Sequence, residues 1–160
     1  MNDAKAAIKY KLNIKKYLEE LAILCLEKPS EKFLVSLDMT EEIRRVALNR
    51  HDLPKKNFRI DFSERRGARF RNYVEKLGHA DKASIYIWTE RSNSCGLYEV
   101  SSLNKINFDF PGDVNKEGIF LLLASDSSNG LLFDFSRRDD SSGYDLELEA
   151  VGPNWSGIDY

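Results

Sequence analysis

Carboxylates cluster near the end of the sequence at a spacing suited to recognising positive charge. Asp145, Glu147 and Glu149 occupy every second position, with the apolar residues Leu146 and Leu148 between them. In a β-strand, side chains two residues apart share a face, so the three carboxylates would line one side while the leucines face the core. A single strand face does not supply the convergent ligands that a metal ion needs. The pattern therefore predicts a surface for a basic partner, without a metal.

Four further residues belong to this predicted partner-binding surface. Asp139 and Asp140 precede the strand in the same hairpin, and Tyr144 and Trp155 flank it with aromatic rings. Large, rigid rings bury much area at low entropic cost, which makes them good interface anchors. Two plainer interpretations stay open. The carboxylates would then be the solvated side of an edge strand, and Trp155 would pack over the end of the core.

A basic stretch in the first half of the chain offers a different chemistry, which is phosphate binding. Arg65, Arg66, Arg69 and Arg71 follow one another closely among aromatic residues. Guanidinium groups beside stacking rings are typical of surfaces that bind nucleic acid. The aromatic positions also fit the core periodicity of a strand and a helix, and no known nucleic-acid-binding motif frames them. Nucleic-acid binding by these arginines is the alternative prediction.

Residue patterns typical of enzymes and cofactor sites do not occur in the sequence. Cys25 and Cys95 lie far apart, and His51 and His79 are too few and too scattered for a zinc site or a hydrolase triad. We therefore predict a protein that is not an enzyme and that carries no cofactor.

Charge is divided unevenly between the two halves of the 160-residue chain. Residues 1–82 contain 19 Lys and Arg against 13 Asp and Glu, a net charge of +6. Residues 83–160 contain 5 against 13, a net charge of −8. The total of −2 argues against a protein that coats nucleic acid. Chain length and the absence of a linker-like segment predict a single domain over residues 1–160.

The sequence predicts neither a membrane span nor a secretory signal. Its longest uninterrupted apolar run, Leu21–Leu26, is far shorter than a transmembrane helix requires. The first residues lack a long apolar stretch and a small-residue cleavage site. We therefore expect a cytoplasmic protein with no membrane partner.

Helical periodicity dominates residues 1–82, which we call the basic half. Apolar residues at helical spacing predict a long amphipathic helix from about Asp3 to Lys28, ended by Pro29. Two short helices are predicted within Glu31–Leu48, with Asp38 and Glu41 as a capping box. A strand is expected at 58–62, followed by a helix that opens at 63 and ends at the glycine at 78.

The apolar period changes to two in residues 83–160, which predicts strands. Short connectors rich in Gly, Asn, Asp and Ser favour hairpins in an antiparallel meander. The expected strands are 84–89, 96–101, 106–110, 119–125, 131–135 and 144–151. Ile119–Ala124 is apolar on both faces, so it should be a central strand covered on one side by the N-terminal helices. The predicted fold is α+β, with N-terminal helices packed on a C-terminal antiparallel β-sheet of about five to six strands.

The stretch IFLLLASDSSNGLLFDF, the acidic hairpin SRRDDSSGYDLELEA and the Trp-bearing tail resemble the C-terminal sheet of small bacterial immunity proteins. Those proteins neutralise the toxin domains of contact-dependent growth inhibition and related polymorphic toxin systems. The resemblance covers about residues 83–160 and includes no diagnostic motif. It implies stoichiometric inhibition of a toxin, such as a nuclease, whose cationic cleft takes the carboxylates in place of a nucleic-acid backbone. The carboxylates concerned are Asp139, Asp140, Asp145, Glu147 and Glu149, with Tyr144 and Trp155 as anchors.

Overall fold

The fold is taken from a computed structural model, which describes residues 3–136, 138–139 and 143–160, with backbone alone at 138, 139, 143 and 144. The helices in the described chain are α1 (Asp3–Leu24), α2 (Leu37–Leu48), α3 (Ala68–Ala80) and the single turn α4 (Ser92–Cys95). The strands are β1 (Lys55–Asp61), β2 (Ile85–Trp88), β3 (Tyr98–Val100), β4 (Ile119–Ala124), β5 (Gly130–Asp134), β6 (Arg138–Asp139) and β7 (Gly143–Val151).

The strands form one antiparallel sheet in the order β1-β7-β5-β4-β2-β3, and β6 pairs with the start of β7. The helices lie mostly in the first half of the chain, so the α+β prediction is confirmed. The central position predicted for Ile119–Ala124 is also confirmed, since β4 pairs with β5 on one side and β2 on the other. One strand of the sheet, β1, comes from the basic half.

The helices α1 and α3 cover one face of the sheet and form the main core with it. Phe70 and Leu77 of α3 pack with residues of β4 and β5, among which the rings of Phe120 and Phe133 stack at 4.6 Å. Apolar residues at helical spacing on α3 meet apolar residues at spacing of two on the strands, which is why both elements bury a single face.

The opposite face of the sheet is only partly covered. Ile43 of α2 packs there on Leu97 and on Leu123 of β4, and the partly buried side chains of Tyr86 and Trp88 pack against this cluster. This helix reaches the β2 and β4 side of the face. The side chains that β5, β7 and β1 present on the same face remain half-buried or exposed.

Two predictions about the helices were wrong in detail, and one was confirmed. The first helix ends at Leu24, after which Cys25 makes a β-bridge to Ile106. The two short helices predicted within Glu31–Leu48 are present, as a 3-10 helix at Glu31–Phe33 and as α2. The helix cap is Ser36, whose side chain accepts a hydrogen bond from the Met39 amide, and the proposed capping box does not form.

Two other segments also differ from the sequence predictions. Ser63 belongs to a 3-10 turn, and α3 starts only at Ala68. Gly78 lies inside α3, which ends at Ala80 where the Asp81 amide bonds to the Leu77 carbonyl. The predicted strand at 106–110 is absent from this described stretch. The backbone of this stretch instead forms hydrogen bonds with the segment at the end of α1, where the Asn107 amide donates to the Leu24 carbonyl.

Candidate functional site

The carboxylates of β7 lie on one face of the strand, on the side of the sheet opposite α1 and α3. Leu146 and Leu148 between them are buried in the core, as the alternating pattern predicted. Asp145, Glu147 and Glu149 are each half-buried. The interpretation of this strand as a sheet edge was wrong. It pairs with β1 along 145–151 and with β5 along 147–151.

Basic side chains of β1 pair with these carboxylates. Arg59 stands opposite Glu147 and forms an ion pair with it, and the same guanidinium lies 3.6 Å from a carboxylate oxygen of Asp145. Lys55 Nζ lies 4.0 Å from Glu149 Oε1. The contact with Glu147 raises the pKa of Arg59 through its hydrogen bond and charge. The acidic row is therefore partly neutralised by the basic half of the same chain.

Negative charge remains in excess on this face after the pairing. On β1, β5 and β7 the described side chains comprise two cations and five carboxylates, a formal charge of −3. The cations are Lys55 and Arg59, and the carboxylates are Asp61, Asp134, Asp145, Glu147 and Glu149. A basic partner would still be attracted to this face.

Apolar side chains continue the same face beyond the carboxylates. The strand register places Leu132 opposite Glu149, Leu121 opposite Leu132, and Trp88 opposite Leu121. At the end of α2, the side chain of Leu48 is 59% exposed. The face therefore changes from charged to apolar across the width of one strand, β5.

Three shallow depressions, of about 410, 290 and 310 Å³, adjoin one another on this face. Leu132 lines all three of them. We call this surface the open face and define it by the residues that carry its charge and its apolar part. They are Leu48, Arg50, Lys55, Arg59, Asp61, Trp88, Glu90, Ile119, Leu121, Leu132, Asp134, Asp145, Glu147 and Glu149.

Sequence reasoning missed the apolar part of the open face and the cations of β1. Leu131 and Leu132 are neighbours on β5, so they point to opposite sides of the sheet. That pair of leucines was the signal available in the sequence for an apolar surface. When a strand is apolar on both sides and a helix covers only one face of the sheet, the leucine on the other face is left uncovered.

Some of the predicted partner-binding residues fall where the structure describes little or nothing. Asp140 lies outside the described residues. Asp139 and Tyr144 are described by backbone alone, and Asp139 pairs with Gly143 in the β6–β7 hairpin.

Trp155 belongs to the core and not to a surface. Its side chain is fully buried, and the indole Nε1 donates a hydrogen bond to the Leu77 carbonyl at 3.0 Å. Its backbone amide donates to Oδ1 of Asn129 at 3.3 Å. The prediction of an exposed anchor was therefore wrong, and the plainer interpretation, in which the ring packs over the end of the core, holds.

Arg65, the first of the four arginines predicted to bind nucleic acid, is a buried structural residue. Its guanidinium donates to the carbonyls of Phe110, at 3.1 Å, and Phe62, at 2.7 Å. It also lies 3.6 Å from the centre of the Phe62 ring. Burial lowers the pKa of Arg65 to about 10. A side chain held in this way does not reach a phosphate backbone.

The other three arginines point to different surroundings. Arg66 is exposed and forms an ion pair with Asp109. Arg69 donates a hydrogen bond to the Tyr160 backbone carbonyl at 3.0 Å, and its guanidinium lies 4.3 Å from the centre of the Tyr160 ring. Arg65, Arg66 and Arg71 line a groove of about 400 Å³ together with the carboxylates of Glu75 and Asp109, and Arg69 does not line it. The four arginines thus do not form one continuous basic surface.

A buried ion pair joins α1 to the turn at α4. Glu20 is 3% exposed and accepts a hydrogen bond from Arg91 at 2.8 Å. Burial raises the pKa of the Glu20 carboxyl, and the hydrogen bond and charge of Arg91 oppose part of that rise. The thiols of Cys25 and Cys95 are also buried, which raises their pKa values to about 12 and about 11. These thiols are therefore poor nucleophiles.

Metal-binding geometry is not found in the part of the chain that the structure describes, where no three His, Cys, Asp or Glu residues are grouped to hold an ion. None of the described helices combines the length and apolar character of a membrane span. Comparison with protein-family models, curated proteins and solved structures returned no significant match. The open face is therefore interpreted from its own geometry.

Proposed function

We propose that this protein is a cytoplasmic immunity protein that binds a bacterial toxin domain through the open face. The observation that carries the proposal is the position of Leu132, which lies between a row of carboxylates and an uncovered apolar strip. The apolar strip consists of Trp88, Ile119 and Leu121. An exposed apolar patch rimmed by charge is typical of a protein-binding surface. The protein would act by binding and not by catalysis.

The charge of the open face indicates the chemistry of the partner. A nuclease holds phosphates in a cationic cleft, and the carboxylates of Asp134, Glu147 and Glu149 would take the place of those phosphates. The charges would speed association and select the partner. Most of the affinity would come from the apolar strip, because desolvation of charged groups offsets much of their attraction.

Arg59 adds selectivity to this interaction. A basic toxin surface is repelled by its guanidinium unless the partner offers an acidic group or leaves the Arg59 ion pairs intact. Only partners whose charges match both signs of the open face would bind well, which suits an inhibitor with a single cognate toxin.

Nucleic-acid binding receives less support. Arg65 is buried, and Arg66 and Arg69 are engaged with Asp109 and Tyr160. A regulator that binds nucleic acid would be retained on DNA or heparin at low salt and released as the salt concentration rises.

The test of the proposal is binding to the purified product of the gene adjacent to the one that encodes this protein, where we expect a toxin. We expect a one-to-one complex by calorimetry and loss of the toxin's activity in that complex. Glu147→Lys should weaken binding at least about tenfold. The matched control is Glu75→Lys on α3, which is exposed on the other side of the sheet and should bind normally.

Two results would contradict the proposal. One is the absence of a complex, together with retention of the protein on DNA. The other is a complex that both charge reversals leave unchanged, with circular dichroism showing both variants folded.

A further inference from the structure

One depression of the open face combines an apolar wall with a polar end. It occupies about 310 Å³ between the end of α2 and strands β4 and β5. Its wall is lined by Leu48, Trp88, Ile119, Leu121 and Leu132. Its polar end consists of the turn after β2, with Thr89, Glu90 and Asn93. We call it the Trp88 groove.

The polar end offers acceptors. The Asn93 Oδ1 atom is buried, and within the described part of the chain it has no hydrogen-bond partner. Glu90 contributes an exposed carboxylate beside it. An acceptor withdrawn from water without a partner is unfavourable, so a donor that reaches this atom is strongly preferred there.

The nearby cations are committed elsewhere. Arg91 follows Glu90 in the chain, yet its guanidinium bonds to Glu20 at 2.8 Å. Arg44 of α2 lies 5.7 Å from the centre of the Trp88 ring and forms an ion pair with Glu41 at 3.1 Å. Neither arginine lines the groove. The acceptors at its end are therefore not neutralised by these two side chains.

We propose that the Trp88 groove receives an arginine side chain of the toxin. The apolar stem would lie against Leu121 and Leu132, and the guanidinium would donate to the exposed Glu90 carboxylate. Rotation of the Asn93 side chain on binding would bring its buried Oδ1 within reach of a second donor. Arginine fits better than lysine because its planar head supplies five donors in a fixed arrangement, so that it can bond to a carboxylate and to an amide oxygen at once. In a nuclease, such an arginine is one that would otherwise bind phosphate.

This inference rests on the proposed function, but its first test needs no toxin. The probe is n-butylguanidinium, which carries the stem and head of an arginine side chain. The chain has two tryptophans, of which Trp155 is fully buried, so a saturable change in fluorescence reports on Trp88. We expect binding in the millimolar range, at least about fivefold tighter than that of n-butanol or n-butyrate.

Variants locate the bound head group. Glu90→Gln and Asn93→Leu should each weaken probe binding several-fold, and Glu75→Gln on α3 should not. Trp88→Phe should remove the fluorescence change. Equal binding of n-butanol or n-butyrate, or a fluorescence change that persists in Trp88→Phe, would overturn the inference.

A second step separates this inference from the proposed function. If the probe does not bind but Glu147→Lys still weakens the toxin complex, the arginine site is wrong and the immunity function stands. If the probe binds as expected and the toxin does not, the proposed function is overturned while the preference of the groove for a guanidinium is supported.

Discussion

Arg59 of β1 lies directly opposite Glu147 of β7, and the two side chains form an ion pair. The first belongs to the half of the sequence with a net charge of +6 and the second to the half with −8. The sheet brings these halves together at one strand pair, so the contrast between them is partly cancelled within the molecule. What remains for a partner is the excess of carboxylates on the open face.

Arg59→Ala should increase the rate at which the protein associates with a basic toxin domain. The substitution releases Asp145 and Glu147 from their cation and makes the open face more negative. We expect a several-fold rise in the association rate constant at low ionic strength that fades at high salt, measured by stopped-flow. Lys76→Ala, an exposed cation on α3, is the control for net charge alone. A slower association of the Arg59 variant would contradict the role assigned to these carboxylates.

Adjacent leucines of β5 should separate stability from binding. Leu131 is fully buried, so Leu131→Ala should lower the free energy of unfolding by about 2–5 kcal/mol. Leu132 is half-buried on the open face, so Leu132→Ala should cost less than about 1 kcal/mol and should weaken toxin binding. Urea denaturation measures the first quantity and calorimetry the second. A Leu132 variant that binds as tightly as the wild type would remove the centre of the proposed interface.

Gly152→Ala should destabilise the junction between β7 and the C-terminal tail. Gly152 has φ +107°, and an added Cβ would lie 2.2 Å from the Ser128 carbonyl oxygen. We expect a loss of about 3 kcal/mol in the free energy of unfolding. The matched control is Gly157→Ala, where a Cβ would meet nothing within 4 Å. Equal thermal unfolding midpoints for the two variants would show that this junction tolerates a side chain.

Glu20→Gln should change how stability depends on pH. Burial raises the pKa of Glu20 above its ordinary value of 4.5, while Arg91 and Glu117 act on the same carboxyl in opposite directions. Between 4.5 and its raised pKa, the native state binds more protons than the unfolded state. The contribution of Glu20 to the free energy of unfolding is therefore complete below pH 4.5 and is lost as the pH rises through the pKa of Glu20 in the native state.

Glutamine does not titrate, so the variant should lack this decline. We expect the difference in unfolding free energy between variant and wild type to shift in favour of the variant as pH rises from 4 to 7, measured by urea denaturation at each pH. Other titrating groups are common to both proteins and cancel in the difference. Two parallel pH profiles would show that Glu20 titrates normally.

Local sequence patterns were sufficient for most of the strands and for the faces of those strands, but not for the bounds of the helices. Alternation of Asp145, Leu146 and Glu147 determined which side chains share a face of β7, whatever strand lies beside it. The two-sided apolar run at 119–124 likewise predicted a central strand, and β4 does pair with a neighbour on each side. Helical and strand periods are properties of neighbouring residues, and a sequence displays them directly.

Only the tertiary structure decided which residues meet across the sheet. Arg59 and Glu147 are 88 positions apart, and Trp155 bonds to a carbonyl 78 positions away. No local period encodes such pairs, because they depend on the order of strands and on the side of the sheet that each helix covers. Burial of Trp155 and Arg65, insertion of β7 beside β1, and exposure of Leu132 all follow from that order. The sequence by itself determined the acidic row, and the fold decided how much of its charge is left for a partner.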